Sequence, residues 1–348
     1  MTSPPGTVSS PQLRRRPNRL VFWIVRILLG LLALIVLLAL GGASYEAIMA
    51  AGDGRRYPPP GQLVDVGGYR LHLHCIGQGS PTVVLDAGLG GFSLDWGAVQ
   101  PQITTSTRVC AYDRAGLGWS EPGPTPRSPQ QFAAELHALL TKSGVEGPYV
   151  LVAHSLSGKT ARLFASQHPN EVAGMVLVDT RHEYVDDHRP PVQLAAEDAE
   201  RRQFQNMIRW TARFGLVRLL WAPALPSVLP GSGNLTPEAR TAIGVLQARP
   251  RQIETALAEN EAKMDSNTLL RTAASLGATP LIVLASAHTV DHKPFWKEAQ
   301  QIMTGLSSNS RLVIAQSGHA VHYEQPAQVM ESIRQVVDAA RTGQPLKP

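Results

Sequence analysis

Short apolar runs alternating with helical segments predict an α/β fold, a mostly parallel sheet flanked by helices. Three observations carry this. Residues 82–86, 107–112, 149–153, 172–179, 280–286 and 311–315 are short and apolar at successive positions, as strands buried on both faces are. Between them, residues 94–104, 128–143, 157–168, 294–304 and 326–340 have helical character, and Pro129, Pro294 and Pro326 stand near the first helical position. Strand signals then stop over residues 181–278. That stretch is rich in Ala, Arg, Glu, Leu and Gln and is broken by Pro223, Pro226, Pro230 and Pro237. It reads as several helices inserted between two strands, an expected lid over a pocket.

Ahead of this core, residues 62–66 and 69–76 flank Gly67-Gly68 and read as a hairpin, with Leu71, Leu73 and Cys75 alternating against His72 and His74. Residues 1–19 are polar, Pro-rich and basic, the composition of a disordered tail. Residues 21–43 are almost wholly apolar, and as a helix would span ~35 Å, enough for a hydrocarbon core of ~30 Å. Residues 20–43 are therefore expected to cross a lipid bilayer, with Arg26 snorkelling near one end. The arginines before this span predict the N-terminus inside and the remainder outside. A cleaved signal peptide has a shorter apolar core, and Ala43 and Ala47 make poor cleavage sites. Residues 44–61, ending in Tyr57-Pro58-Pro59-Pro60-Gly61, read as a stiff linker between membrane and domain.

Charge excludes one class of partner. Residues 1–45 hold five of the 32 basic residues and no acidic one, leaving 27 against 27 acidic residues in the rest. The net charge of +5 belongs to the membrane flank, so nucleic-acid binding has no electrostatic support. The glycine-rich run Gly88-Leu89-Gly90-Gly91 lacks both a following P-loop lysine and the dinucleotide spacing. No cofactor is expected, and no sequence pattern of His and Cys suggests a metal. Cys75 and Cys110 are either two buried thiols or, in an exported domain, a disulfide.

The chemistry centres on Ala153-His154-Ser155-Leu156-Ser157, where a buried strand runs into a serine and then a helix. Such an elbow holds a hydroxyl out at the sheet edge. The usual form is Gly-x-Ser-x-Gly; here Ala153 and Ser157 replace both glycines but stay small. Together with Asp86-Ala87-Gly88-Leu89-Gly90-Gly91, Tyr112-Asp113-Arg114-Ala115-Gly116-Leu117-Gly118-Trp119-Ser120, the strand at 280–286 with an acid beyond it, and Ser317-Gly318-His319, residues 62–342 resemble the α/β-hydrolase family.

The resemblance implies Ser155 as nucleophile, His319 as its base and an acid after strand 280–286. Asp291 is the sole carboxylate of that loop, with Asp179 the alternative and Glu183 a weaker one. It implies an oxyanion hole from the Leu89 and Leu156 N–H groups, and a structural turn at Asp113. It also sets residues 69–76 beside 107–112, which brings Cys75 within reach of Cys110. His322 is the alternative base; His154, His72 and His74 read as structural or surface residues. The implied activity is hydrolysis of an ester or related acyl compound, with a small, apolar substrate. A non-catalytic binding module, a peptidase and a cofactor-free haloperoxidase remain open. Ser155 argues against an epoxide hydrolase or haloalkane dehalogenase of this fold, which would need Asp at the elbow.

Overall fold

The computed structural model describes residues 19–188 and 191–347; Arg14 to Arg16 and most of the expected tail lie outside them. Eight strands form one sheet: β1 (Gln62–Asp65), β2 (Arg70–Ile76), β3 (Thr82–Asp86), β4 (Val109–Tyr112), β5 (Tyr149–His154), β6 (Val172–Val178), β7 (Leu281–Ser286) and β8 (Ser310–Ala315). Their order is β1-β2-β4-β3-β5-β6-β7-β8. β1 and β2 form an antiparallel hairpin, β2 pairs antiparallel with β4, and β3 through β8 run parallel. The hairpin turn is closed by Asp65, whose carboxylate accepts from the N–H groups of Gly67 and Gly68.

Every residue of β3 to β7 bar one is buried because both faces are covered. On one side Val84, Leu151, Met175 and Val283 pack with Leu136, Leu139 and Phe164 from the helices Pro129–Lys142 and Ser157–Gln167. On the other, Val83, Val152, Val176 and Leu284 pack with Ile333 and Val336 of the helix Pro326–Thr342. Each such side chain removed from water contributes about 1.5–3 kcal/mol, so alternate positions of one strand anchor two helical layers.

Cys75 and Cys110 lie directly opposite each other across β2 and β4, Cα atoms 4.0 Å apart, and are joined by a disulfide. The helix expected at 94–104 is instead two short pieces, Ser93–Trp96 and Gln100–Ile103, on either side of Gly97. Between β6 and β7 the insertion is helical throughout its main pieces, notably Pro191–Arg213, Leu216–Leu220, Pro237–Gln247 and Pro250–Ala262.

The N-terminal helix runs from Arg19 to Arg56 and is long and apolar enough to cross a membrane, with mean hydropathy 2.9 over its most apolar 18 residues, none buried. It overruns the expected linker. Apart from Gly52 and Gly54, residues 44–56 include good helix formers such as Glu46, Ala47, Met49, Ala50 and Ala51 and continue the helix, which ends before the prolines that follow Tyr57. Glu46 and Asp53, two turns apart, are buried against the insertion.

Candidate active site

The strands deliver the site at their carboxyl ends. β5 ends at His154, and Ser155 takes a left-handed backbone, φ 54°, before the helix Ser157–Gln167 begins. A non-glycine residue holds this conformation only where its surroundings over-determine it. The Ser155 N–H donates to Val178 O (3.1 Å), and its carbonyl accepts from the Arg181 N–H (3.1 Å). Ser157, in place of the second glycine, is fully buried; its hydroxyl reaches Asp86 O (2.9 Å) and His154 O (2.7 Å). The extra oxygen thus finds carbonyl partners on the strand end beside the turn instead of crowding it.

His319 Nε2 lies 2.9 Å from Ser155 Oγ, and His319 Nδ1 lies 2.5 Å from Asp179 Oδ2. Asp179 directly follows β6, fully buried and also left-handed at φ 44°. Its carboxylate accepts from Thr289 Oγ1 (2.7 Å), Trp296 Nε1 (2.9 Å) and the Ser286 N–H (3.1 Å). Burial alone would raise this carboxyl, but the hydrogen bonds and charge of His319, with Thr289 and Ser286, outweigh it and hold it below the ordinary range.

Asp291 does not join this group, which corrects the expected acid. Residues after β7 fold as a helix, Ala287–His292, capped by Ser286. Positions two apart on a helix point about 200° apart. Thr289 therefore turns inward to Asp179, while Asp291 is exposed. Glu183 is also elsewhere, paired with Arg162 at 2.7 Å. Thr289 and Trp296 went unnoticed in the sequence because neither bears a charge.

His154 is a support. Its Nε2–H donates to His319 O (2.9 Å), and its ring packs 4.8 Å from that of His319. Burial, then the neighbouring His319 charge, pushes its pKa down to about 3, so it stays neutral and fixed as the Nε2–H tautomer. His322, the alternative base, is buried behind it against His154 and Trp96. His72 is not a surface residue: it is fully buried, with Nδ1 3.0 Å from Asp113 and Nε2 on Pro60 O. Asp113 also accepts from the N–H groups of Ser93 and Trp119, the structural turn expected of it.

The loop after β3 is clamped by a residue whose function the sequence did not disclose. Buried Arg114 donates to Ala87 O (2.6 Å), Gly88 O (2.6 Å), Asp86 (2.7 Å) and Glu259 (2.7 Å) of the insertion. Turning these carbonyls toward Arg114 fixes the peptide planes that carry the loop's N–H groups. Gly88 packs against the elbow: a Cβ there would lie 2.7 Å from His154 Nδ1 and 3.3 Å from Ser155 Cβ. Among the described residues, neither the Leu89 nor the Leu156 N–H has a hydrogen-bond partner. Both are free to face a developing negative charge.

Beside this loop lies a cavity of about 380 Å³, lined by Leu89, Phe204, Ile208, Val217, Trp221 and Ile253. Neither it nor a larger one of about 640 Å³, near Tyr57, Trp119 and Pro237, has Ser155, His319 or Asp179 in its lining. His137, His168 and Glu171 cluster elsewhere, but the two rings stack 3.8 Å apart and nearly parallel, so their lone pairs do not converge.

Residues 81–326 match the family described as alpha/beta hydrolase fold. An uncharacterised protein of Schizosaccharomyces pombe is 34% identical over 165 residues, covering 38% of this chain and 30% of that protein. An uncharacterised vacuolar membrane protein of Saccharomyces cerevisiae is 29% identical over 133 residues, covering 33% and 21%. The chain spans less than half the length of either. Among solved structures, an epoxide hydrolase, CorEH, is similar at TM-score 0.62 and 20% identity, over 78% of this chain and 96% of that one. An esterase from Thermogutta terrifontis is similar at TM-score 0.60 and 23% identity, over 81% and 99%. The chain belongs to the α/β-hydrolase fold family.

Proposed function

We propose that this chain is a membrane-anchored serine hydrolase that cleaves an ester or related acyl compound through an acyl-enzyme on Ser155. The observation that carries the reading is the unbroken contact from Ser155 Oγ through His319 to Asp179. In the proposed reaction His319 Nε2 takes the Ser155 proton as Oγ attacks the substrate carbonyl. Asp179 holds the ring and stabilises its cationic form. The Leu89 and Leu156 N–H groups receive the oxyanion. His319 then returns the proton to the leaving group, and water, activated by the same ring, releases the acid. The apolar cavity beside Leu89 suits the acyl chain, and the insertion covering it acts as the lid.

The esterase among the similar structures agrees with this chemistry; the epoxide hydrolase shares the fold, but Ser155 stands where an attacking aspartate would be needed. The exposed, apolar N-terminal helix supports a membrane span, and the arginines before it are the ground for an N-terminus inside and a catalytic domain outside. The Cys75–Cys110 disulfide suits such an oxidising compartment.

Labelling of the full chain with a fluorophosphonate tests the reading. We expect wild type to be labelled, Ser155→Ala not to be, and p-nitrophenyl ester turnover to fall by about 10⁵–10⁶-fold in that variant. Unlabelled wild type, or equal labelling of Ser155→Ala, overturns it.

A further inference from the structure

We propose that the outer face of the insertion is seated in the lipid bilayer beside the N-terminal helix, and that the cavity draws its substrate, an amphiphile with an acyl chain, from the lipid. The substrate half rests on the hydrolase reading above; the seating does not.

Two observations place the insertion at the membrane. The N-terminal helix docks on it where the apolar span ends. At Gly42 an added Cβ would lie 2.5 Å from Phe214 O, so the two backbones touch there. One turn and three turns further on, Glu46 (2.7 Å) and Asp53 (3.0 Å) bury Arg218 between them, and Arg249 joins Asp53 at 2.9 Å. Breaking a buried charge group of this kind by removing one partner is costly, so the insertion is held at a fixed height on the helix.

The second observation is the face this height exposes. Phe204, Met207, Trp210, Leu219, Leu220 and Trp221 are 50–70% exposed, large and apolar. Arg218 points inward to the helix, while Leu219 and Leu220 point away. Large apolar side chains exposed in such number on two neighbouring helices mark an interaction site. The N-terminal helix beside it is itself exposed and apolar from Ile27 to Leu38. One lipid phase covers both; aromatic residues such as Trp210 and Trp221 suit its interfacial layer.

The face is also the mouth of the cavity. Phe204 and Trp221 are at once half-exposed and part of the cavity lining, which also includes Leu89; Gly88, the residue before Leu89, packs against Ser155. An acyl chain entering between Phe204 and Trp221 would pass from one apolar medium to another without crossing water.

The test uses the full chain in phosphatidylcholine nanodiscs. Leu220→Cys and, as a control, exposed Ile302→Cys on the helix Trp296–Thr304 carry an environment-sensitive fluorophore; the disulfide leaves both native cysteines unreactive to the label. We expect doxyl-labelled lipid to quench the label at 220 and aqueous iodide to quench it at 302. Equal access of iodide to both positions overturns the seating, as does shielding of 220 from both quenchers, which would mean that protein covers this face. A double variant, Leu219→Ser with Leu220→Ser, is expected to lose about tenfold on a long-chain ester dissolved in the disc while keeping p-nitrophenyl acetate turnover within about twofold. Equal effects on the two esters overturn entry from the lipid. If wild type hydrolyses neither ester, the hydrolase reading fails, while the quenching result still decides the seating.

Discussion

The carboxyl end of the sheet and the insertion above it are held together by different means. At the sheet end, side chains are aimed by strand termini. Ser155 follows β5, Asp179 follows β6, and both are locked in left-handed backbones by neighbouring strands. In the insertion, position depends on charged latches: Arg114 to Glu259, Arg218 to Glu46 and Asp53, Lys159 to Asp186. Its apolar residues face a cavity or the outside as well as a core. The sheet end therefore holds Ser155, His319 and Asp179 fixed, while the insertion is held by separable contacts. Rigid strand ends are where catalytic precision is built, and connecting segments are where specificity varies.

Arg114 is where the two regions meet, and replacing it should have the largest structural effect. Arg114→Met would leave Asp86 and Glu259 buried without their partner, a loss of about 3–5 kcal/mol. It would also free the carbonyls of Ala87 and Gly88, lowering kcat by about 10²-fold. Thermal unfolding and steady-state kinetics check both. If stability falls with kcat intact, Arg114 holds the insertion but does not position the Leu89 N–H.

A smaller effect sharpens the view of the sheet end as a set of fixed neutral supports. Burial holds His322 well below the ordinary histidine range, and the neighbouring His154 and His319 push the same way. The unfolded chain therefore binds a proton near pH 6.5 that the folded chain refuses. The stability tied to this group is complete above that pH and is lost as pH falls toward the folded value. His154, at about 3, acts in the same sense. Urea midpoints of wild type between pH 7.5 and 5 should fall with acidity. His322→Phe should flatten that slope, by up to about 1.4 kcal/mol per pH unit. An unchanged slope would show that His322 is protonated in the folded protein.

The same division explains what the sequence disclosed. Parallel strands buried on both faces leave unbroken apolar runs, so β3 to β7 could be read directly, and Ser155 and His319 stood in local motifs at their ends. Asp179 was harder. Two acids ended or followed neighbouring strands, and the choice turned on the short helix after β7, which rotates Thr289 in and Asp291 out. The latches were invisible for another reason: Arg218 lies 172 positions from Glu46, and Arg114 lies 145 from Glu259, so no local pattern joins them. The continuation of the N-terminal helix through residues 44–56 was hidden by its glycines and by the prolines that follow. Docking against the insertion favours the helix over an open linker.

The most direct test of the central claim is ester turnover by Asp179→Asn compared with Asp291→Asn in the full chain. With Asp179 as the acid that orients His319, Asp179→Asn should lower kcat by about 10⁴-fold, with the protein folded, and Asp291→Asn should leave it within about twofold of wild type. Loss of turnover in Asp291→Asn with Asp179→Asn still active would contradict the account.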